Sequence, residues 1–463
     1  MNYDEFIRKK QIMDVPTGIP DPGAFELHPA LFDYQRDIVR WALRRGRACV
    51  WAECGLGKTF IQLEWARIVH AFTGKPVLIL APLAVSEQTA HDEAPKLGLC
   101  VNICKSQDDV RNGICITNYE RIGAFKFSEF GGVVADESSI IKNSSGKIRN
   151  AIIGAVSRIP FRLACTATPA PNDFMELGNH AEFVGAMGYA EMLAMFFVHD
   201  GGDTAKWRLK GHARKAFFEW VATWAVMIRK PSDLGYSDEG FQLPEMRIHE
   251  VVVKTDAPDG YLFPVVALTL HERLRARRDS VHERAAMVDR IIRTVAPDDQ
   301  WCVWANLNDE SGRIAALRSD MRNVQGTDSI EYKVETLTGF ARGSVKELVS
   351  KPKIAGMGMN FQRIHRCVFI GLSDSFEQYY QAVRRFWRFG QIHPVDVYIV
   401  TADTEGAVVE NIKRKEREAN QLYSEMSLFM REINVGEIRA TRRNTTDYNP
   451  EESMTLPVFL KGA

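Results

Sequence analysis

Ala48-Cys49-Val50-Trp51-Ala52-Glu53-Cys54-Gly55-Leu56-Gly57-Lys58-Thr59 joins a short apolar run to a glycine-rich turn that ends in Lys-Thr. The run Ala48–Trp51 predicts a buried strand, and the amphipathic stretch Phe60–Phe72 predicts a helix after it. Glycines at such a junction let backbone N–H groups curl around phosphate oxygens, and the helix start adds its positive dipole end. In a P-loop of this kind Gly55, Leu56 and Gly57 would face the triphosphate of ATP. Lys58 would reach the β- and γ-phosphates, and the Thr59 hydroxyl would ligate Mg²⁺. The pattern usually opens on glycine, where this chain has Ala52.

Downstream, Gly132-Val133-Val134-Ala135-Asp136-Glu137 is an apolar strand that ends in two carboxylates. Open parallel sheets place ligands at the carboxyl ends of their strands. Asp136 is therefore expected to hold Mg²⁺, and Glu137 to orient or deprotonate the attacking water. Further buried strands are expected at 76–81, 114–117 and 162–165, and a second set at 301–305, 345–350, 367–370 and 395–400. Strands that alternate with helical patterns predict α/β lobes with parallel sheets.

The chain has 463 residues, 45% hydrophobic and 25% charged, which allows about two or three domains of ordinary globular composition. Lys+Arg 59 balances Asp+Glu 59, so a basic nucleic-acid coat is excluded while a local basic groove is not. No apolar run reaches the roughly 18 residues that span a bilayer, and the first 15 residues lack the apolar core of a signal peptide. Eight scattered cysteines without metal-ligand spacing read as buried thiols in a reducing compartment. No membrane partner is expected, and the location is expected to be cytoplasmic. Thr204–Lys230 carries seven Lys/Arg, one acid and three Trp. It reads equally as a face for a phosphate backbone or as a packed helical hairpin with solvated cations.

With both phosphate-site elements in hand, the chain resembles superfamily 2 helicases, and within them the Swi/Snf-type DNA translocases, over roughly residues 30–415. Leu31-Phe32-Asp33-Tyr34-Gln35 is similar to the Q-type motif, Pro76–Pro82 to motif Ia, and Thr117-Asn118-Tyr119-Glu120 to motif Ib. Asp136-Glu137-Ser138-Ser139, with Ile141-Lys142-Asn143, is similar to the DExx box and its extension; Thr166-Ala167-Thr168-Pro169 resembles motif III. Ala355–Asn360 resembles motif V. Gln381-Ala382-Val383-Arg384-Arg385-Phe386-Trp387-Arg388-Phe389-Gly390-Gln391 is similar to motif VI, with Gln381, Ala382, Arg385, Arg388, Gly390 and Gln391 all in register. Arg384 and the Phe386-Trp387 pair depart from the small residues common there, and the chain has no room for histone-reading domains. This suggests a compact branch such as bacteria and phages carry.

The resemblance implies two RecA-like parallel-sheet lobes with a helical insert between them. The expected boundaries are an N-terminal extension at 1–25, an ATP-binding lobe at 26–180, the helical insert at 181–250, lobe two at 251–435 and a tail at 436–463. It also implies that Gln35 reads the adenine, that Thr166 and Thr168 couple nucleotide state to nucleic-acid grip, and that Gln381 positions phosphate or water. Arg385 and Arg388, three apart, would share one face if their segment were helical. They could then meet the γ-phosphate from the opposite lobe. Backbone contacts to nucleic acid are expected from Thr117, Asn118, Lys353, Gly356 and Asn360, with DNA as the partner and RNA left open. The implied activity is an ATP-driven motor on duplex DNA. A strand-separating helicase, a restriction-type motor subunit and a nucleotide-switched DNA clamp are the alternatives.

Overall fold

The computed structural model describes residues 16–142, 146–171, 173–200, 203–255, 269–355, 359–405 and 408–438. Lobe one is built on β1 (Arg47–Ala52), β2 (Val77–Ala81), β3 (Val101–Ile103), β4 (Ile114–Asn118), β5 (Gly132–Asp136) and β6 (Phe161–Thr166). A hairpin of β7 (Phe197–Asp200) and β8 (Asp203–Leu209) follows, and β9 (Ala225–Ile228) returns to the sheet. The order is β3-β4-β2-β5-β6-β1-β9, and every pairing in it is parallel. Strands β2, β5 and β6 are buried at every position. That burial is why they read as continuous apolar runs: helices cover both faces of such a sheet.

Lobe two repeats the plan. Its strands are β10 (Met246–Val253), β11 (Trp301–Trp304), β12 (Arg322–Val324), β13 (Glu347–Ser350), β14 (Arg366–Phe369) and β15 (Val395–Ala402). They lie in the order β10-β15-β14-β11-β13-β12, again all parallel. Trp301 and Trp304 are fully buried in this core. Two parallel-sheet lobes are thus present as the sequence leads one to expect.

The segment 181–250 is not simply a helical insert. It holds helices Tyr189–Phe196 and Arg214–Trp224, but also the β7–β8 hairpin. Its strand β9 adds to lobe one beside β1, from Cys49↔Ala225 to Ala52↔Ile228. These four apolar residues follow directly on the helix Arg214–Trp224, with nothing in the sequence to mark a new element; a ready edge in β1 makes them a strand. The aromatic residues of this segment mostly serve the lobe-one core, with Phe217 and Phe218 fully buried and Trp220 stacked on Phe196. Several of its cations bond to neighbours. Lys210 Nζ donates to the carbonyls of Ala194 and Met195, Arg214 pairs with Glu425, and Lys230 with Asp238.

The C-terminal boundary also differs. One helix runs from Val408 to Ile438, about 46 Å at 1.5 Å per residue, and crosses back from lobe two to lobe one. Near its end Glu437 pairs with Arg45 at 2.5 Å and accepts from Trp41 Nε1 at 3.2 Å. Asn434 Nδ2 donates to the Ala225 carbonyl at 3.2 Å. One apolar cluster therefore runs from Trp51 through Tyr423, Met426 and Met430 to Trp304 and Phe369. Among the described residues no helix is long and apolar enough to cross a membrane, and no group of three or more His, Cys, Asp or Glu is placed to hold a metal ion.

Candidate active site between the lobes

In lobe one the P-loop leaves β1, the acid pair leaves β5 and the Thr-Ala-Thr segment leaves β6. The order β5-β6-β1 makes their carboxyl ends neighbours. Ala52 is the last residue of β1 and fully buried. It needs no glycine, because the left-handed turn falls later, at Gly55 (φ 89°) and Gly57 (φ 73°). A Cβ on Gly55 would lie 2.6 Å from the Phe389 backbone nitrogen, so lobe two sits directly on this loop. The helix Lys58–Thr73 begins at once. Lys58 Nζ donates to the Ala52 carbonyl at 2.8 Å and toward that of Glu53 at 3.4 Å.

Gln35 does not stand free. Its Oε1 accepts from Phe32 N at 2.9 Å, and its Nε2 donates to the Leu56 carbonyl at 3.0 Å, which also takes the Tyr34 hydroxyl. The residue expected at the base therefore braces the P-loop as well.

Asp136 and Glu137 are both buried. Gln62 Nε2 donates to Asp136 Oδ1 at 2.6 Å, and the Tyr119 hydroxyl to the Asp136 carbonyl at 2.5 Å. Burial first, and the Glu137 carboxylate second, push the Asp136 carboxyl up to about 6. A buried, mutually repelling carboxylate pair beside a P-loop is a hard-oxygen donor set. It fits Mg²⁺, which takes one or two carboxylates and completes its shell with phosphates and water. Thr168 N donates to Thr166 Oγ1 at 3.1 Å, while Thr168 Oγ1 is buried without a hydrogen-bond partner among the described residues.

Lobe two delivers the arginines, though not on a helix. The helix Phe376–Val383 ends just before them, with Arg384 as its cap. From there the backbone tightens, Arg385 N reaching Ala382 O and Phe386 N reaching Val383 O. Phe386 is fully buried in lobe two, and Gln391 Nε2 pins the turn to the Ile364 carbonyl at 2.9 Å. A buried aromatic and a buried amide on consecutive turns override the helical spacing expected of Arg385 and Arg388. Both arginines nevertheless reach the cleft. Arg385 Nη2 lies 3.6 Å from Glu137 Oε1, and its Nε donates to the Gln381 carbonyl at 3.0 Å. Arg388 lines a cavity of about 240 Å³ together with Gly55, Gly57, Thr59, Asn360 and Phe389. Burial and the neighbouring Arg385 lower the Arg388 guanidinium to about 10.

Of the residues expected to touch nucleic acid, Thr117 and Asn118 end β4. Thr117 Oγ1 and Asn118 Oδ1 are buried with no hydrogen-bond partner among the described residues. Lys353 is exposed on the short helix Pro352–Ala355. Asn360 lines the cleft cavity beside Arg388, and Gly356 lies outside the described residues.

Several site residues escaped the sequence reading. Gln62 is one helical turn after Lys58, so the helix period could have found it. Glu53 in the P-loop accepts from the Tyr380 hydroxyl at 2.5 Å and lies 3.6 Å from Arg384 Nη2. Burial opposes ionisation of Glu53, but Arg384 and then Tyr380 hold its carboxyl below the usual range. Lys142 pairs with Glu377 across the same cleft. No local pattern predicts these cross-lobe partners.

Residues 283–390 match the helicase conserved C-terminal domain family. Protein p41 of Acyrthosiphon pisum secondary endosymbiont phage 1 is 24% identical over 475 aligned positions, covering 85% of this chain and 97% of that protein. Among solved structures, the ATP-dependent Type ISP restriction-modification enzyme LlaBIII bound to DNA aligns with TM-score 0.53 and 14% identity. The alignment covers 86% of this chain and 31% of that enzyme, so this chain spans about a third of its length. The Sulfolobus solfataricus SWI2/SNF2 ATPase core in complex with dsDNA aligns over 89% of this chain and 98% of that one, at TM-score 0.41 and 17% identity. Lobe two is thus similar to the helicase conserved C-terminal domain, and the two all-parallel lobes across one cleft share the fold of the ATP-dependent restriction-modification enzyme over 86% of this chain.

Proposed function

We propose that the chain is an ATP-driven motor that moves on duplex DNA without sequence preference. The observation that carries this reading is the meeting of Arg385 from lobe two with Glu137 from lobe one, beside a cavity lined by both P-loop glycines and Arg388. A site that takes its acid from one lobe and its arginines from the other acts only when the cleft is closed. That is how nucleotide hydrolysis becomes motion.

ATP would bind with its phosphates on the Gly55–Thr59 loop, and Lys58 Nζ would exchange the Ala52 and Glu53 carbonyls for the β- and γ-phosphates. Thr59 and Asp136 would hold Mg²⁺, which offsets phosphate charge when bound. Glu137 orients the attacking water. Arg388 and Arg385, which crowd each other's charge in the cleft, gain an anion to share when the γ-phosphate arrives. Aiming arginine at developing phosphoryl charge contributes about 10³–10⁵ in rate. Loss of that anion after cleavage would remove the charge that the arginines of lobe two and the P-loop of lobe one share, and so weaken the hold of one lobe on the other. The carboxyl end of β4 would meet the DNA backbone, Thr117 donating through its hydroxyl and Asn118 through its amide NH2; such contacts carry no sequence information. DNA as the track is supported by the restriction-modification enzyme of like fold, which was solved bound to DNA.

The deciding experiment is ATP turnover titrated with duplex DNA, single-stranded DNA and RNA, beside triplex displacement and strand displacement. Turnover stimulated by duplex, with triplex displaced and strands left paired, is expected. No turnover under any of these conditions would leave a nucleotide-switched clamp as the better reading.

A further inference from the structure

Among the described residues, Glu137 is the only non-glycine with positive φ (φ 50°, ψ 49°). Residues with a Cβ enter this left-handed region rarely, and persist there when their surroundings hold them. On one side the Tyr119 hydroxyl grips the Asp136 carbonyl. On the other, two consecutive residues of one helix, Leu177–Val184, grip the loop. Ser138 Oγ lies 3.0 Å from His180 Nε2, and Asn179 Nδ2 donates to the Lys142 carbonyl at 2.7 Å. Ser138, Asn179 and His180 are all fully buried, and the helix is fixed by Leu177, Ala181 and Phe183 in the core.

The imidazole of His180 meets Trp51 edge to face at 5.6 Å, and its Nδ1 has no hydrogen-bond partner among the described residues. Burial keeps the ring neutral, with its pKa down to about 3. An orphaned N–H is a rarer and costlier defect than a bare lone pair. The hydrogen therefore sits on Nε2, which donates to Ser138 Oγ. Ser138 adjoins Glu137 directly, so this bond sets where the left-handed turn points its carboxylate.

We propose that His180 is a positioning residue: through its Nε2–H bond to Ser138 it holds Glu137 in the left-handed turn that aims its carboxylate at the attacking water. The inference rests on the ATPase reading above.

The test measures kcat and KM for ATP with saturating duplex DNA, in the full chain, for wild type, Ser138→Ala, His180→Leu, His180→Gln and the Ser138→Ala/His180→Leu double variant. Ser138→Ala and His180→Leu should each lower kcat about 10–100-fold, with KM little changed. The double variant should be no worse than the poorer single one. His180→Gln, whose amide can donate to Ser138, should recover most of the rate. A purely packing role for His180 predicts wild-type kcat in Ser138→Ala, and that result overturns the proposal. Should His180→Leu fail to fold by circular dichroism, Ser138→Ala and His180→Gln still decide. Absence of turnover in wild type would instead remove the ATPase reading, and this inference with it.

Discussion

Arg385 Nη2 stands 3.6 Å from Glu137 Oε1, although one belongs to the turn after the Phe376–Val383 helix and the other to the end of β5. The contact closes the cleft with a pair of opposite charges at the point where a γ-phosphate and its water would lie. On the proposed reading, a phosphate entering there would compete with Glu137 for the guanidinium and free the carboxylate for water, which would couple nucleotide binding to the cross-lobe contact.

Lys58→Ala removes the only side-chain cation on the P-loop turn. ATP binding, followed by fluorescent-nucleotide titration, should weaken at least tenfold, and turnover should fall to background. Retained turnover would displace Lys58 from the site.

Glu137→Gln keeps the size of the side chain and deletes its charge. Nucleotide affinity should stay within a few-fold of wild type while kcat falls by about 10²-fold or more. Equal loss of binding and rate would assign Glu137 to nucleotide binding.

Arg388→Ala should lower kcat about 10³-fold, with ATP affinity nearly intact. Arg388→Lys should not restore the rate, because an ammonium lacks the planar fork. A wild-type rate in Arg388→Ala would remove the arginine from the hydrolytic step.

Asp136 carries a pH signature. Its carboxyl is raised from 3.8 to about 6 in the folded chain. Between those values the folded state holds more protons than the unfolded one, so this group's stabilising contribution is lost as pH rises through about 6. Asp136→Asn cannot ionise, so without nucleotide it should be more stable than wild type by roughly 3 kcal/mol at pH 7.5, and lose the advantage by pH 4. Ionised Asp136 is the form that holds a cation, so binding of Mg²⁺–ATP to wild type should weaken as pH falls through about 6, with proton uptake seen on release. Equal stability of the two proteins at pH 7.5 would contradict the burial argument.

Lobe two holds its own buried charges. Arg277 and Arg284 both reach Glu310, at 3.0 and 2.9 Å, and Arg284 also reaches Glu405 at 3.2 Å; the side chains of all four residues are at most 5% exposed. Glu310 further accepts from the backbone of Asn306 and Leu307. Arg284 also donates to the Ile370 carbonyl, at the end of the strand that leads to the Phe376–Val383 helix. Glu310→Ala would leave two buried guanidinium groups to share the single Glu405 carboxylate and should cost about 3–5 kcal/mol in urea unfolding. A loss below about 1 kcal/mol would mean that water reaches the cluster.

The strands at the centre of each sheet are legible in the sequence itself. β1, β2, β5, β6 and β11 are short runs of apolar residues, and a sheet covered on both faces demands such runs. The edges are not. β3 and β12 have three residues each, and β9 continues straight from the Arg214–Trp224 helix, so only an adjacent strand makes them strands. The candidate site divides the same way. Gly55, Gly57, Lys58, Asp136 and Glu137 announce their chemistry locally, because glycine conformation and charge at a strand end are properties of neighbouring residues.

The chain alone therefore determined the residue types of the candidate phosphate site and the two-lobe alternation, which follow from period, spacing and backbone preference, while the arginine pair was legible only through its resemblance to a known motif. Only the tertiary structure decided that the arginines leave their helix on a tight turn and that Val408–Ile438 straps lobe two to lobe one. It likewise decided that Tyr380 and Arg384 clasp Glu53, and that His180 reaches Ser138. These contacts join residues tens to hundreds of positions apart, and their energies come from burial and pairing that exist only once both partners have been brought out of water together.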